Sequence, residues 1–340
     1  LVGGHIQAVH KGGAVFKPKR IVVRRQFANF GVLLRWRILD VFGQISEEYD
    51  FTQIISNSPF IQEAVSLARK VANSEATVLL TGPTGAGKEV FAQSIYSAGS
   101  RRNQSFVAVN CSAFGKDLLE SELFGYKAGA FTGATKDKKG LFEEANKGTI
   151  FRDEIGEFNP DLQAKLLRVL ESGTFLKMGD TKEIKVNARV IAATNRNLEE
   201  ESQQGQFRED LFYRLSVFQI KLPPLNDRKE DIPLLTEHFA AQFGSKTGKK
   251  INSISKEYTE ALKKHSWRGN IRELRNIIER SVILCEGNTL TKEVLPLDFN
   301  VSKPGAFTGI FDLKEVEKEH IKKYWNIQKA TRPKQLICWV

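Results

Sequence analysis

The sequence predicts an α/β fold, a doubly wound parallel sheet, followed by a small all-helical lid. Three observations predict it. Apolar strand-like segments alternate with helical ones from about residue 50 to Leu222. One strand-to-helix junction is a glycine-rich turn ending in lysine. A Pro223-Pro224 pair then stops the alternation, and three further helical segments follow.

Each element has a local reason. Ile61, Ala64, Val65, Ala68 and Val71 recur at helical spacing, which predicts a helix over Ser58–Ala72. Thr77–Leu80 is a short apolar strand entering the glycine turn, and a helix starts near Lys88. Phe106–Asn110, the GTIFRDE run at 148–154 and Val186–Asn195 read as buried strands, each ending on polar residues. Ile232–Phe243, Glu257–His265 and Ile271–Cys285 read as the lid helices. This divides the chain into a basic segment 1–48 with no assigned fold, an α/β part 49–224, a lid 225–297, a linker 298–310 and a terminal region 311–340.

The 340 residues carry a formal charge of +11, which by itself suggests a nucleic-acid partner. The distribution argues otherwise. Leu1–Leu39 holds eight Lys/Arg and no acid, and His320–Val340 holds five and no acid, so the body between them is close to neutral. At 41% hydrophobic and 27% charged, the chain can bury a core. Its apolar runs fall far short of the roughly 18–20 residues of a spanning helix, so no membrane partner is expected. Three cysteines and the lack of a charged-then-apolar leader suit a reducing cytoplasm.

The chemistry centres on phosphate. Thr77–Gln93 reads TVLLTGPTGAGKEVFAQ, a strand, a G-x4-G-K turn and a helix. Glycines let backbone N–H groups curl around phosphate oxygens, the helix start adds a positive dipole end, and Lys88 reaches the β- and γ-phosphates. Glu89 stands where a Ser or Thr usually offers magnesium a hydroxyl. Asp153 and Glu154 end a strand downstream; Asp153 suits a water-mediated Mg2+ contact and Glu154 a base for the attacking water. Asn195 ends another strand and is either a strand cap or a holder of water or γ-phosphate. Arg152 is out of place in a buried strand, and three readings stand: snorkelling, pairing with an acid, or damage.

Several ordered blocks then converge. GAFTGA at 129–134 joins GPTGAGKE at 82–89, NCSAF at 110–114, GTIFRDEIGE at 148–157, VIAATN at 190–195, FREDLFYRL at 207–215, LPPLNDRKEDIPLL at 222–235 and GNIREL at 269–274. Together, over Tyr49–Leu297, they resemble the AAA+ P-loop NTPase core of bacterial enhancer-binding proteins, the ATP-driven, nitrogen-regulator type activators of sigma-54 RNA polymerase. The resemblance implies that Gly82, Pro83, Thr84, Gly85, Ala86, Gly87, Lys88 and Glu89 bind ATP, and that a Glu at position 89 is ordinary. It makes Asp153 and Glu154 the Walker B pair, Asn110 a restraint on Glu154, and Asn195 the first sensor. Arg208 and Arg214 resemble fingers offered to a neighbouring subunit, implying a ring, a hexamer by family. On residues alone, Arg208 reads as a surface partner of Glu209 or Asp210. Arg272 resembles the second sensor, and Ile54 and Ile55 fall where the family packs adenine. Gly129, Ala130, Phe131, Thr132, Gly133 and Ala134 resemble the loop that meets sigma-54. An exposed aromatic on so glycine-rich a tip suits a binding role.

The ends match less well. Gly305–Gly309 partly repeats the loop and reads as coincidence. Phe311–Ile321 resembles the first helix of a Fis-type helix-turn-helix, so enhancer DNA is an expected partner only if that domain is intact. A frame shift before Gln328 would turn QKATRPKQLICWV into a better second helix, which predicts a scrambled end. The basic start reads as a disordered arm or the damaged tail of a receiver or sensory domain, the input half of a two-component pair. A second function class therefore stands beside the activator: a nucleotide-binding remnant that cannot remodel its target.

Overall fold

The computed structural model describes residues 49–113, 116–296 and 299. The basic segment, the repeat at 305–309, the helix expected at 311–321 and the junction at Gln328 lie outside the described residues. Residues 49–295 fall within one compact unit.

Five strands build the central sheet: β1 (Val78–Thr81), β2 (Phe106–Asn110), β3 (Thr149–Asp153), β4 (Arg189–Thr194) and β5 (Phe218–Lys221). They lie in the order β2-β3-β4-β1-β5 and all run parallel. The chain therefore returns between strands through helices, and all five carboxyl ends share one edge. β1 sits between β4 and β5, so the turn that follows it opens one strand in from the β5 end of that edge.

Strand alternation sends successive side chains to opposite faces, and each face has its own core. Leu79, Val107, Val109, Ile150, Val190 and Ala192 meet Phe142, Phe158, Leu162 and Leu166 on one side. Val78, Leu80, Phe106, Phe151, Ile191, Ala193 and Ile220 meet Ile61, Ala68, Phe91 and Ile95 on the other. Both faces are dry, which is why these strands read as continuous apolar runs.

The expected elements are present with small shifts. The first strand starts at Val78 rather than Thr77, and β4 spans only Arg189–Thr194 within the predicted Val186–Asn195. Ser58 is the N-cap of the first helix, Pro59–Ala72. The lid helices are Asp231–Thr247, Lys256–Lys264 and Asn270–Leu284. Ser255 caps the second by accepting from the Tyr258 N–H at 3.1 Å, and buried Trp267 closes the corner after it by donating Nε1–H to the Leu262 carbonyl at 2.8 Å. Two small antiparallel pairs were not foreseen: Gly125–Tyr126 with Lys138–Lys139, and Thr174–Leu176 with Glu183–Lys185. Such short pairs leave no periodicity to read.

Arg152 corrects two of the three readings made of it. Its register puts it between Val109 of β2 and Ala192 of β4, on the same face as Ile150. That face is a closed core, so the side chain cannot snorkel, and it is 0% exposed. No acid reaches it. The guanidinium instead lies over the Phe142 ring at 4.1 Å and faces Phe158 at 5.5 Å, and all three of its nitrogens lack a hydrogen-bond partner. Burial lowers its pKa to about 10. Stacking on aromatic faces offsets about 2 kcal/mol of the desolvation cost, but an unpaired buried cation costs several. Arg152→Leu is therefore expected to raise stability by about 1–3 kcal/mol, several degrees in Tm. Thermal unfolding by circular dichroism checks this, and an unchanged or lower Tm would show that the stacking already balances the charge.

Candidate functional site

The glycine turn leaves β1 at Gly82 and enters the helix Lys88–Ser97 with Gly87 as N-cap. Gly85 and Gly87 have φ of +77° and +107°, the left-handed region that only glycine enters without strain. The Gly82 N–H donates to the Thr194 carbonyl at 3.2 Å, pinning the turn to β4. Lys88 is buried, and its Nζ donates to the Gly82 and Pro83 carbonyls at 2.8 and 3.3 Å. Burial lowers its pKa, and Asp153 and Glu154 pull it part of the way back.

Asp153 ends β3 directly opposite Asn110 of β2. Glu154 follows at φ +59°, a left-handed position rare for a residue with a side chain. Such strain persists only where the surroundings enforce it, and it gathers at functional sites. Here the Asp153 Oδ1 accepts the Glu154 N–H at 3.0 Å. Burial first, then the Asp153 charge, raise the Glu154 pKa; Lys88 and a bond from the Asn195 backbone N–H oppose that. Glu89, at the start of the loop helix, is raised by burial and by Asp153. Asp153 and Glu154 thus face Lys88, while Glu89 meets Asp153 and Arg272.

The other expected site residues fall as follows. Asn195 Nδ2 donates to Thr84 Oγ1 at 3.0 Å, joining the β4 end to the phosphate loop. Asn110 Oδ1 accepts from Ser112 N–H and Oγ–H at 3.0 and 2.7 Å, and no hydrogen bond joins it to Glu154. Arg272 lies beside the loop, its Cβ 3.1 Å from where a Cβ on Gly85 would stand. Ile54 packs on the core around Phe51, and Ile55 is half-buried. Arg208 holds Asp210 through Nε and Nη2 at 3.0 and 2.7 Å, the local pairing that its residue type predicts. Arg214 donates to the Leu170 carbonyl at 2.9 Å.

Gly129–Ala134 is not the free loop that its composition suggests. Gly129 N–H donates to Ala134 O at 2.8 Å, and Ala134 N–H to Phe131 O at 3.0 Å. Asp137 clasps the base, taking Lys127 Nζ at 2.6 Å and Ala128 N–H at 2.9 Å. Phe131 is 43% exposed and rests edge-on against Tyr126, ring centres 4.9 Å apart. Tyr126, Arg228, Asp231 and Asn270 were not singled out from the sequence, although the last three lie inside blocks quoted there.

The chain matches the sigma-54 interaction domain over residues 54–221 and the AAA+ ATPase lid domain over 226–308. It is 38% identical over 327 residues to the DNA-binding transcriptional regulator NtrC of Rhizobium meliloti, covering 94% of this chain and 67% of that one. The chain belongs to the sigma-54-dependent activator family. Other members agree. It is 44% identical over 255 residues to the Nif-specific regulatory protein of Azotobacter vinelandii, covering 75% of this chain and 49% of that protein. NtrX from Brucella abortus, solved in complex with ATP, superposes with a TM-score of 0.69 at 33% identity over 85% of this chain and 64% of its own. The chain thus spans about half the length of several curated relatives. Among the described residues, no helix is long and apolar enough to cross a membrane.

The Phe131 seat yields a measurable expectation. An edge-to-face pair contributes about 0.5–1.5 kcal/mol, so Tyr126→Ala should speed amide exchange across 129–134 about 2- to 10-fold. Hydrogen-exchange mass spectrometry reads it, and unchanged exchange would assign the order of the loop to the Asp137 clasp alone.

Proposed function

We propose that this activator hydrolyses ATP in a ring of its own copies, a hexamer by family, and uses the 129–134 loop to remodel a sigma-54 polymerase closed complex. One observation carries the reading: a phosphate-shaped loop with a buried lysine faces a carboxylate held in a strained backbone position, in the fold of an ATP-binding relative.

In this reading Gly85, Gly87 and Lys88 hold the β- and γ-phosphates. Glu154 takes the proton of a water as its oxygen attacks the γ-phosphorus. The bond from that phosphorus to the bridging oxygen breaks, and ADP and phosphate leave. Asn195, fixed between Thr84 and Glu154, orients the water. Magnesium fits the donor set, since a carboxylate at a strand end beside a phosphate loop is the oxygen donor a hard cation takes. Among the described residues no group of three or more His, Cys, Asp and Glu could hold a metal. Asp153 would hold it through water, and the ion would neutralise phosphate charge. Arg208 and Arg214, satisfied within their own chain, would turn to a neighbour's γ-phosphate. An arginine so supplied adds about 10³–10⁵ in rate.

A remnant that binds nucleotide without remodelling is favoured only by the unpaired Arg152 under Asp153. Turnover measured against protein concentration separates the two. A steep rise supports the ring, and its absence the remnant.

Lys88→Ala should abolish nucleotide binding, while Glu154→Ala keeps binding and stops hydrolysis; isothermal titration and phosphate release check both, and normal turnover by Glu154→Ala would sink the assignment. Thr132→Ala should keep ATPase activity and lose promoter activation in a transcription assay. Because Glu154 must be ionised to act and its pKa is raised, turnover at saturating ATP should fall as pH drops through a midpoint above the ordinary carboxylate 4.5. A midpoint at or below that value would remove Glu154 as the base.

A further inference from the structure

The outer side of the phosphate loop is held as tightly as the inner side is shaped. Three successive carbonyls each accept a bond from the lid half of the chain. Thr84 O accepts from Asn270 Nδ2 at 2.9 Å, Gly85 O from the Ile271 N–H at 3.0 Å, and Ala86 O from Arg228 Nη2 at 2.9 Å. The approach leaves no slack: a Cβ on Gly85 would stand 2.3 Å from the Gly269 carbonyl.

A peptide plane fixes what this does. In each unit the carbonyl of one residue and the N–H of the next point in opposite directions. Holding the carbonyls of Thr84, Gly85 and Ala86 outward sets the N–H groups of Gly85, Ala86 and Gly87 on the other side of the loop. The Ala86 N–H is spent on a turn to Pro83 O at 3.2 Å, which leaves the Gly85 and Gly87 N–H groups for an anion. Gly85 and Gly87 both sit at positive φ, which leaves their amides free of Cβ crowding.

The two side chains involved are placed at some cost. Asn270 is 2% exposed and takes φ +52° at the first residue of its helix, a position that asparagine tolerates better than most. Its amide is used at both ends, since Oδ1 accepts the Leu225 N–H at 2.8 Å. Arg228 is also 2% exposed, with Asp231 3.9 Å from Nη1. Asp231 in turn accepts Ser56 Oγ–H, Asn57 N–H and Ser58 N–H at 2.6, 2.7 and 3.1 Å. The segment after Ile54 and Ile55, the lid and the phosphate loop thus form one bonded chain.

We propose that Asn270 and Arg228 are positioning residues that give the phosphate loop its anion-binding shape, so that lid placement and phosphate affinity are one variable. The inference rests on the nucleotide reading of the loop. It also makes the coupling reciprocal: phosphates that order the loop must hold the lid with the same free energy.

The test uses the full chain and compares ADP with adenosine, which lacks phosphates. Asn270→Asp keeps the size and the acceptor but removes the donor to Thr84 O. Arg228→Met removes the donor to Ala86 O, and Arg228→Lys can restore it. The ratio of ADP to adenosine affinity, from isothermal titration and competition, should fall about tenfold in Asn270→Asp and Arg228→Met and recover in Arg228→Lys. A purely structural role would weaken both ligands together and leave the ratio unchanged, which overturns the proposal. If Asn270→Asp does not fold, the Arg228 pair decides alone. If the unsubstituted chain binds no ADP, the nucleotide reading itself falls.

Discussion

Five parallel strands end on one edge, and one strand in from β5 the chain leaves that edge through a glycine turn whose amide groups, in the proposed reading, face a phosphate. A peptide unit has two polar ends, so amides on the inside put carbonyls on the outside. Buried carbonyls need donors: Lys88 Nζ and the Ala86 N–H serve those of Gly82 and Pro83, and the next three must find theirs outside the loop. The lid meets that need with one side-chain amide, one backbone amide and one guanidinium. The lid, three helices with one short parallel strand pair, Ser253–Ile254 with Thr289–Leu290, therefore belongs to the proposed phosphate site as well as covering it. This accounts for the buried, charged Arg228 and for the strained Asn270, both costly in isolation.

The sheet explains the placement of the acids and the anomaly beneath them. In β3, alternation buries Ile150 and Arg152 on one face and Phe151 on the other, and brings Asp153 out at the edge. The parity that delivers the carboxylate to the site delivers residue 152 to the core. A guanidinium there can meet only aromatic rings, and it rests on Phe142 and Phe158. Cys111, packed in the same core, has its thiol pushed up to about 12 by burial, which leaves it protonated and unable to serve as a counter-charge.

Much of this was legible in the sequence, and the reason is the double-sided burial of the sheet. β1 through β4 are apolar runs, and the residues that end them are polar because they leave the core. β5, Phe218–Lys221, was not named as a strand. It lies at the edge, with Gln219 and Lys221 exposed, and its pattern is weak. The residue types of the phosphate loop were readable because the chemistry demands glycines and a lysine. Its carbonyl partners were not: Asn270 lies 186 residues from Thr84, and Arg228 lies 142 from Ala86. No local rule links an asparagine to a carbonyl that far away. The docking of Phe131 on Tyr126 was missed for a related reason. They lie only five positions apart, but the contact depends on a turn whose glycines permit many shapes.

In the proposed ring, the local partners of Arg208 and Arg214 explain how a separate copy stays idle and still assembles cheaply. Arg208 is engaged by Asp210, and Arg214 by the Leu170 carbonyl. Neither is left as a bare charge, so neither adds desolvation strain to the separate chain. Both bonds are exposed, and an exposed pair contributes only about 0–1 kcal/mol. A neighbour's triphosphate, with its higher charge in a drier cleft, would outcompete Asp210 for the guanidinium. Tyr213 lies between them in sequence and Val217 just beyond, both largely exposed, so apolar surface accompanies the exchange. The local pairing of Arg208 is thus compatible with the proposed role in trans.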